Sequence, residues 1–378
     1  MRNKVAISTL SKSFHFVSWG ALTIVGIYLR YFSISRIVNE PKSDFLSYYN
    51  RAVNFAANLD YYTITKPMGY PILLGGWFKL TQDTSIFNAK LFNFILSILT
   101  LIGIYFLCRQ LKLNSRQSLI IFATFSICPM VFLYVNVLGV ETITIFFITI
   151  FLNAFFAKSL KWQIRYLLIG LISGILATFK SYFLTFPIVV IVLELVNLYF
   201  GKEQLTKKYL VGFVCMISAM GITLLPSIIK NYSIIHEFVP VSTNANHVLY
   251  LNNNDLSLGG NITIKTIFKD ENQITKIGLI ESKFPSREEI DFHRDNLYGE
   301  FAIEWIGSHP KEFTKLGFLR LSRVFLSSGA EWAISDMAKG SSSNISVHRL
   351  FILLQNYYSF FKYLLVVALF LFILNHIH

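Results

Sequence analysis

Charge is scarce in this 378-residue chain: Asp, Glu, Lys and Arg together make up 15%, against 54% hydrophobic residues and 36 Phe. A soluble domain carries about 25% charged and about 45–50% apolar residues. An apolar excess of this size cannot be hidden inside one water-soluble globule, and the mean hydropathy of +0.53 agrees. So apolar a chain is not a disordered one. Cysteine is scarce as well, with three residues, which excludes a disulfide-stapled secreted domain. Cys108, Cys128 and Cys215 each sit within or at the end of an apolar run without CxxC spacing, and read as small buried hydrophobes. Gly and Pro are too few for a collagen-like or low-complexity polymer. The eight His show no HExxH or other close ligand spacing, so no metal site is expected. No Gly-rich phosphate loop, GxSxG elbow or fixed-period repeat occurs.

What the chain has instead is apolar runs near the length of about 20 residues that a spanning helix needs. They lie at roughly 14–33, 86–107, 117–135, 139–157, 164–179, 182–200, 209–229 and 350–374. The first follows Arg2, Lys4 and Lys12 and is closed by Arg30 and Tyr31 without a cleavage signal, as in a retained anchor. The run 164–200 is too long for one span and is split at Lys180-Ser181-Tyr182 into two helices and an exposed hairpin. Gly69–Leu80 is apolar but short, which suits an interfacial helix.

The net charge of +13 then speaks of orientation and not of a nucleic-acid partner. Arg109, Lys112 and Arg116 join spans two and three; Lys158, Lys161 and Arg165 join four and five; Lys202, Lys207 and Lys208 join six and seven. With the N-terminal cations, these all fall on one side, and the alternate short connections hold only Lys180. The positive-inside rule makes the basic side, and the N-terminus, cytoplasmic. The expected fold class is an all-α polytopic membrane protein of about eight transmembrane helices. Residues 1–231 would form the transmembrane core with its first outer loop at 34–85. Residues 232–349 would form an outward, mixed region with amphipathic helices, and 350–378 a last transmembrane helix.

The outer segments hold the chemistry-bearing residues. Ser43 or Asp44 could cap a helix running to about Asn58, with Phe45, Tyr48, Tyr49, Ala52 and Phe55 on one apolar stripe. Downstream lie Lys66-Pro67-Met68-Gly69-Tyr70-Pro71, then Gly139-Val140-Glu141-Thr142 and Thr178-Phe179-Lys180. Leu225-Pro226-Ser227-Ile228-Ile229-Lys230-Asn231-Tyr232 leads into Phe238-Val239-Pro240-Val241-Ser242-Thr243-Asn244 and Leu251-Asn252-Asn253-Asn254. Phe301 to Phe313 brackets Pro310. A carboxylate early in the first outer loop, a Tyr-x-x-Ala helix, Lys-Pro-x-Gly-Tyr-Pro and the later motifs, in this order, resemble the GT-C membrane glycosyltransferases. Within that group the resemblance is to the branch with the protein O-mannosyltransferases and the lipid A aminoarabinose transferase. It covers residues 30–325. Lys180 and Lys230 stand where that family commonly has Arg, Ser227 where it has Trp, and Leu251 where it has Gly.

The resemblance implies an enzyme that moves a sugar from a polyprenyl-phosphate donor to a glycolipid, glycan or protein acceptor on the outer membrane surface. The absence of an Asp-x-Asp pair points the same way, to a donor without a nucleotide, and no cofactor is implied. Asp44 and Glu141 would be the catalytic carboxylates, with Asp44 as general base. Lys66, Lys180, Lys230 and Arg51 would bind the leaving phosphate. Tyr48, Tyr70, Asn252 and Asn253 would contact sugar or acceptor. Plainer readings stand beside these: a helix cap for Asp44, snorkelling lysines for Lys66 and Lys180, helix N-terminal stabilisation for Glu141 and turn formation for the asparagines. The Phe-, Ile-, Asn- and Lys-rich usage suggests an AT-rich bacterial genome, hence a plasma-membrane location and an undecaprenyl donor. Membrane lipids are the other expected partner. A lipid-linked glycan flippase and an inactive scaffold relative are the alternatives. Asn231, Asn261 and Asn344 are formal glycosylation acceptors at a frequency chance explains.

Overall fold

A computed structural model of the protein describes residues 2–37, 40–157, 159–201, 206–257 and 271–326. Every described element is helical: α1 (Arg2–Arg36), α2 (Ser43–Ala56), α3 (Gly69–Thr81), α4 (Ile86–Gln110), α5 (Ser115–Ile127), α6 (Pro129–Leu133), α7 (Glu141–Phe156), α8 (Trp162–Ala177), α9 (Phe186–Gly201), α10 (Lys207–Ile235), α11 (Ala245–Asn252), α12 (Glu271–Lys283), α13 (Arg287–Ser308) and α14 (Pro310–Leu326). No strand occurs among the described residues, so the described part of 232–349 is helical where a mixed region was expected.

Four helices are long and apolar enough to cross a bilayer: Val17–Arg36 of α1, α4, α9 with the 3-10 turn before it, and α10. A fifth arises if α5 and α6, bent by 44° at their junction, count as one span. The bend has a local cause. Pro129 opens α6 without an N–H to continue the ladder of α5, and Cys128 before it is extended. α7 and α8 have 16 residues each, a rise of about 24 Å against a hydrocarbon core of about 30 Å. The expected eight spans thus become four or five among the described residues, and the run at 350–374 lies outside them. The outer faces of these helices are apolar: Ile188, Val192, Leu193 and Phe200 of α9 are exposed, which fits a helix in contact with lipid.

The described residues divide into two compact units. One holds the chain up to Tyr61 and Gly69–Thr223; the other holds Tyr62–Met68 and the described chain from Leu224 onward. In the first unit α4 packs on α7 and α5, and α1 packs on α5. Small residues bring helices into contact, as they do in membrane bundles. A Cβ on Gly170 would lie 2.1 Å from the Met216 carbonyl oxygen, and one on Gly212 2.4 Å from the Tyr166 ring, so α8 and α10 touch backbone to side chain.

The charges of Arg30 and Glu194 have partners inside this unit. Arg30 does not close the first span, because α1 continues to Arg36. Its wholly buried guanidinium donates to Ser97 Oγ at 2.7 Å and to the carbonyls of Gly26, Ser126 and Phe125 at 2.9 Å each. Glu194, 8% exposed, pairs with Arg165 Nη2 at 2.7 Å.

In the second unit, Tyr250, Leu297, Tyr298, Phe301 and Ala302 form a core between α11 and α13. α13 opens on a capping box of Ser286 and Glu289, and Pro310 starts α14 afresh.

Candidate functional site

In the first unit α2 is the most amphipathic of the described helices, and it does not begin as the sequence suggests. Lys42 occupies the N-cap position in extended conformation, with no side-chain cap hydrogen bond, and Ser43 takes a φ of 52°. Asp44 is therefore an exposed first-turn residue and not the N-cap. Its charge is favourable beside the free N–H groups of that turn, and its carboxylate stays open to solvent.

Three of the motifs meet around this helix through glycines. Gly75 of α3 lies where a Cβ would be 2.6 Å from the Ala52 carbonyl oxygen and from the Phe55 ring, so α2 and α3 cross in direct contact. Gly69, at the start of α3, donates its N–H to the Thr178 carbonyl at 2.9 Å. A Cβ there would sit 2.1 Å from Thr178 Oγ1, so the Lys-Pro-x-Gly-Tyr-Pro and Thr-Phe-Lys motifs touch through Gly69 and Thr178. Gly139 leaves room for both Glu141 Oε2 and the Phe45 ring, which a Cβ would approach to 2.4 and 2.9 Å. Only glycine permits these approaches.

The result is a compact ionic and aromatic cluster. Lys180 Nζ lies 3.6 Å from Glu141 Oε1, each side chain about one-third exposed (36% and 32%). The other oxygen, Glu141 Oε2, is buried without a hydrogen-bond partner. Tyr48 presents its ring edge-on to Tyr70, with centroids 6.0 Å apart. Burial, and then the Asp44 and Glu141 carboxylates, push the Tyr48 phenol up to about 12 against a smaller opposing effect of Arg51. That phenol therefore senses Asp44, Glu141 and Arg51 together. Tyr70 is wholly buried and donates to Asn93 Oδ1 at 3.4 Å, and burial raises its phenol further. It supports Tyr48 from behind; a ligand contact for Tyr70 has no surface to act through. Arg51 donates to the Tyr61 carbonyl at 3.0 Å and to Ser47 Oγ at 3.3 Å, which ties the end of the loop after α2 back to the helix.

Residues that the sequence reading passed over hold the loop before Glu141. Asn93 donates to the Val137 carbonyl at 2.8 Å and the Val135 carbonyl at 3.4 Å. Asn136 donates to the Ser33 hydroxyl and the Leu133 carbonyl, and Thr142 Oγ1 to the Tyr134 carbonyl at 3.1 Å. Lys90, 3% exposed, donates to the Ile37 carbonyl at 2.9 Å. A signal was available: Lys90, Asn93, Ser97 and Thr100 recur at helical spacing on one face of an otherwise apolar span, and all four are buried.

The remaining expected site residues belong to the second unit. Tyr62 donates to Asn231 Oδ1 at 3.0 Å, and Asn231 donates to the Val239 carbonyl at 2.7 Å. Thr243 N–H donates to the Ile64 carbonyl at 2.7 Å. The segment 62–68 is thus stitched between two motifs, and Lys230 lies over the Tyr62 ring at 5.6 Å. Asn231, wholly buried, is a structural hub and not an open glycosylation acceptor; Asn261 and Asn344 lie outside the described residues. Lys66 lines a polar cavity of about 370 Å³ with Arg287, Arg294, Asp291, Asp295 and His247. Asp295 accepts the His247 backbone N–H at 2.8 Å. Burial lowers the His247 imidazole and raises the Asp295 carboxyl, each partly offset by the other. Asn252 and Asn253 close α11: their amides donate to the Val248 and Leu249 carbonyls at 2.8 and 2.7 Å. Asn253 is 2% exposed and accepts from Arg320. Theirs is the geometry of a helix end, not of a sugar contact. Among the described residues no three His, Cys, Asp or Glu side chains gather to hold a metal.

Compared with known proteins, the chain matches no family model and no curated protein.

Proposed function

We propose that this chain is a membrane-bound inverting glycosyltransferase that transfers a sugar from a polyprenyl-phosphate lipid to an acceptor on the extracytoplasmic face of a bacterial plasma membrane. The observation that carries the reading is the cluster in the first unit. An exposed carboxylate and a half-buried tyrosine on α2 stand with a carboxylate–lysine pair from the starts of α7 and of the α8–α9 turn, three stretches far apart in the sequence. In this reading Asp44 takes the acceptor hydroxyl proton as the new oxygen–carbon bond forms at the anomeric carbon. The bond to the phosphate oxygen breaks, its electron pair leaves on the phosphate, and the configuration inverts. Lys180, held by Glu141, faces the charge that the departing phosphate gains. Tyr48 contacts the sugar, backed by Tyr70, while Arg51 fixes the loop behind it. The resemblance names Lys66 and Lys230 as further phosphate cations; both belong to the second unit, and the reading does not rest on them. Arg30 donates to four acceptors inside the bundle and Arg165 pairs with Glu194 there, so these charges lend no support to a transport path.

The test is release and transfer of labelled sugar from polyprenyl-phosphate donors in proteoliposomes. Asp44→Asn should lower turnover at least about 100-fold, in the range general-base catalysis supplies, with donor binding retained. Full turnover in Asp44→Asn, or donor flipping without transfer in the parent chain, overturns the reading.

A further inference from the structure

Between α1, α4 and α5 the first unit has a half-open, largely apolar cavity of about 700 Å³, within the size range of ligand-binding clefts. Trp19 and Thr23 of α1, Leu101 and Tyr105 of α4 and Phe122 of α5 form its walls. α1 and α4 are long and apolar enough to cross a bilayer, and α5 is so together with α6. Gly20 borders the cavity, and a Cβ built on it meets nothing within 4 Å. At one end the chemistry changes. Arg109 lines the wall, exposed, with one guanidinium nitrogen 3.3 Å from the Tyr105 hydroxyl. Ser115 and Ser118 line the wall as well, and the short α4–α5 connection adds Lys112, while Arg116, in the first turn of α5, is not on the wall. Along α4 this cationic end lies about 28 Å from Lys90 at the helical rise of 1.5 Å per residue. It is thus at the opposite end of the span from the loop that carries Glu141.

An apolar slot between spans that ends in cations is complementary to a lipid with an acyl chain and an anionic headgroup. We propose that this cavity is a binding site for one anionic glycerophospholipid, its acyl chain between α1 and α4 and its phosphate on Arg109. The occupant is a bilayer lipid and not the polyprenyl donor, because the donor's proposed partners lie at the other end of the span. The choice of this occupant over the donor rests on the glycosyltransferase reading; the cavity and its cationic end do not.

The experiment is native mass spectrometry of the full-length protein in nanodiscs, delipidated and then offered phosphatidylglycerol or phosphatidylcholine of matched chains. One phosphatidylglycerol should stay bound per protein, at least about fivefold more strongly than phosphatidylcholine, the weight of one cation at the headgroup. Arg109→Gln should erase that preference, Gly20→Trp should remove the bound lipid, and Arg116→Gln, off the cavity wall, should change neither. Arg109 is exposed, so its variant tests the charge even where Gly20→Trp fails to fold. Equal retention of the two lipids, an Arg116→Gln effect equal to that of Arg109→Gln, retention that survives Gly20→Trp in folded protein, or displacement of phosphatidylglycerol by polyprenyl phosphate each overturns the proposal.

Discussion

Removing the two partners of the Glu141–Lys180 pair should have unequal effects. At 3.6 Å two unit charges attract by about 1 kcal/mol in a water-like dielectric and by about 5 kcal/mol at an effective constant of about 20. Both side chains are about one-third exposed, so solvent screening brings the pair to the lower end, about 1 kcal/mol. Glu141 differs from Lys180 in having its second oxygen buried without a partner. Lys180→Met leaves that carboxylate charged and uncompensated, and should cost about 2 kcal/mol. Glu141→Gln removes the charge together with its penalty and should cost about half as much. The double variant should be no less stable than Lys180→Met alone. Thermal unfolding in detergent reads these differences as shifts of about 2–4 °C per kcal/mol for a unit of this size. At 1 M salt, where the screening length is about 3 Å, the coupling should shrink. An equal or reversed order of the two single variants, or coupling indifferent to salt, would refute the electrostatic account. Full transfer activity in the double variant would refute the pair's part in catalysis.

Gly69→Ala should destabilise by about 1–3 kcal/mol, because its Cβ meets both the side chain and the carbonyl of Thr178. Gly76→Ala on the same helix, whose Cβ meets nothing, should be neutral or stabilising, and paired melting curves compare the two. Asn231→Ala removes the side-chain donor to the Val239 and Val241 carbonyls and the nearer acceptor of the Tyr62 hydroxyl, which keeps the Ser227 carbonyl at 3.5 Å. It should cost about 1–3 kcal/mol per group left unpaired inside, read as earlier proteolysis within 224–257. His247 gives a pH dependence. Burial holds its folded pKa below the unfolded value of about 6.5, so below that value the unfolded chain binds a proton that the native chain does not. Its stabilising contribution is present above about pH 6.5 and is lost as pH falls through the folded value. Melting curves of His247→Phe should fall less steeply than those of the parent between pH 7 and pH 5, and parallel curves would count against burial as the cause.

Much of the helical outline was legible because apolar periodicity is a property of neighbouring residues. The runs at 86–107 and 182–200 became α4 and α9, and the stripe from Phe45 to Phe55 became the half-buried face of α2, with Ala52 fully buried. The number of spans was not legible in the same way. A run of apolar residues does not state how many of them one straight helix will use, and α7 and α8 end at Phe156 and Ala177 after 16 residues each. Arg30 was misplaced because a charge near the end of a run reads as a boundary. Its four backbone and side-chain acceptors come from residues as far as 96 positions away, and no local pattern announces them. The asparagines at 252 and 253 were open to two readings, and the carbonyls behind them decide for helix closure.

The site residues followed a different logic from the spans. Asp44, Glu141 and Lys180 are recognisable as residues out of place in apolar surroundings, yet what brings them together is carried by residues without functional groups. Gly139 admits Phe45 beside Glu141, Gly69 admits Thr178, and Gly75 admits Ala52 and Phe55. Beneath them, the buried amide of Asn93 grips the loop that delivers Glu141 while accepting the hydroxyl that backs Tyr48. A polar side chain inside a span is costly unless it is bonded, so the stripe Lys90, Asn93, Ser97 and Thr100 persists because it has carbonyls, hydroxyls and a guanidinium to satisfy. Asn93→Leu separates these roles. It keeps the volume and apolarity the bilayer favours but frees the Val135–Val137 carbonyls, so Glu141 and Lys180 should lose their fixed spacing while the span itself remains inserted. Cysteines placed at 141 and 180 should cross-link efficiently with a short bifunctional reagent in the parent background and poorly beside Asn93→Leu. Equal yields would show that the loop holds its position without the amide.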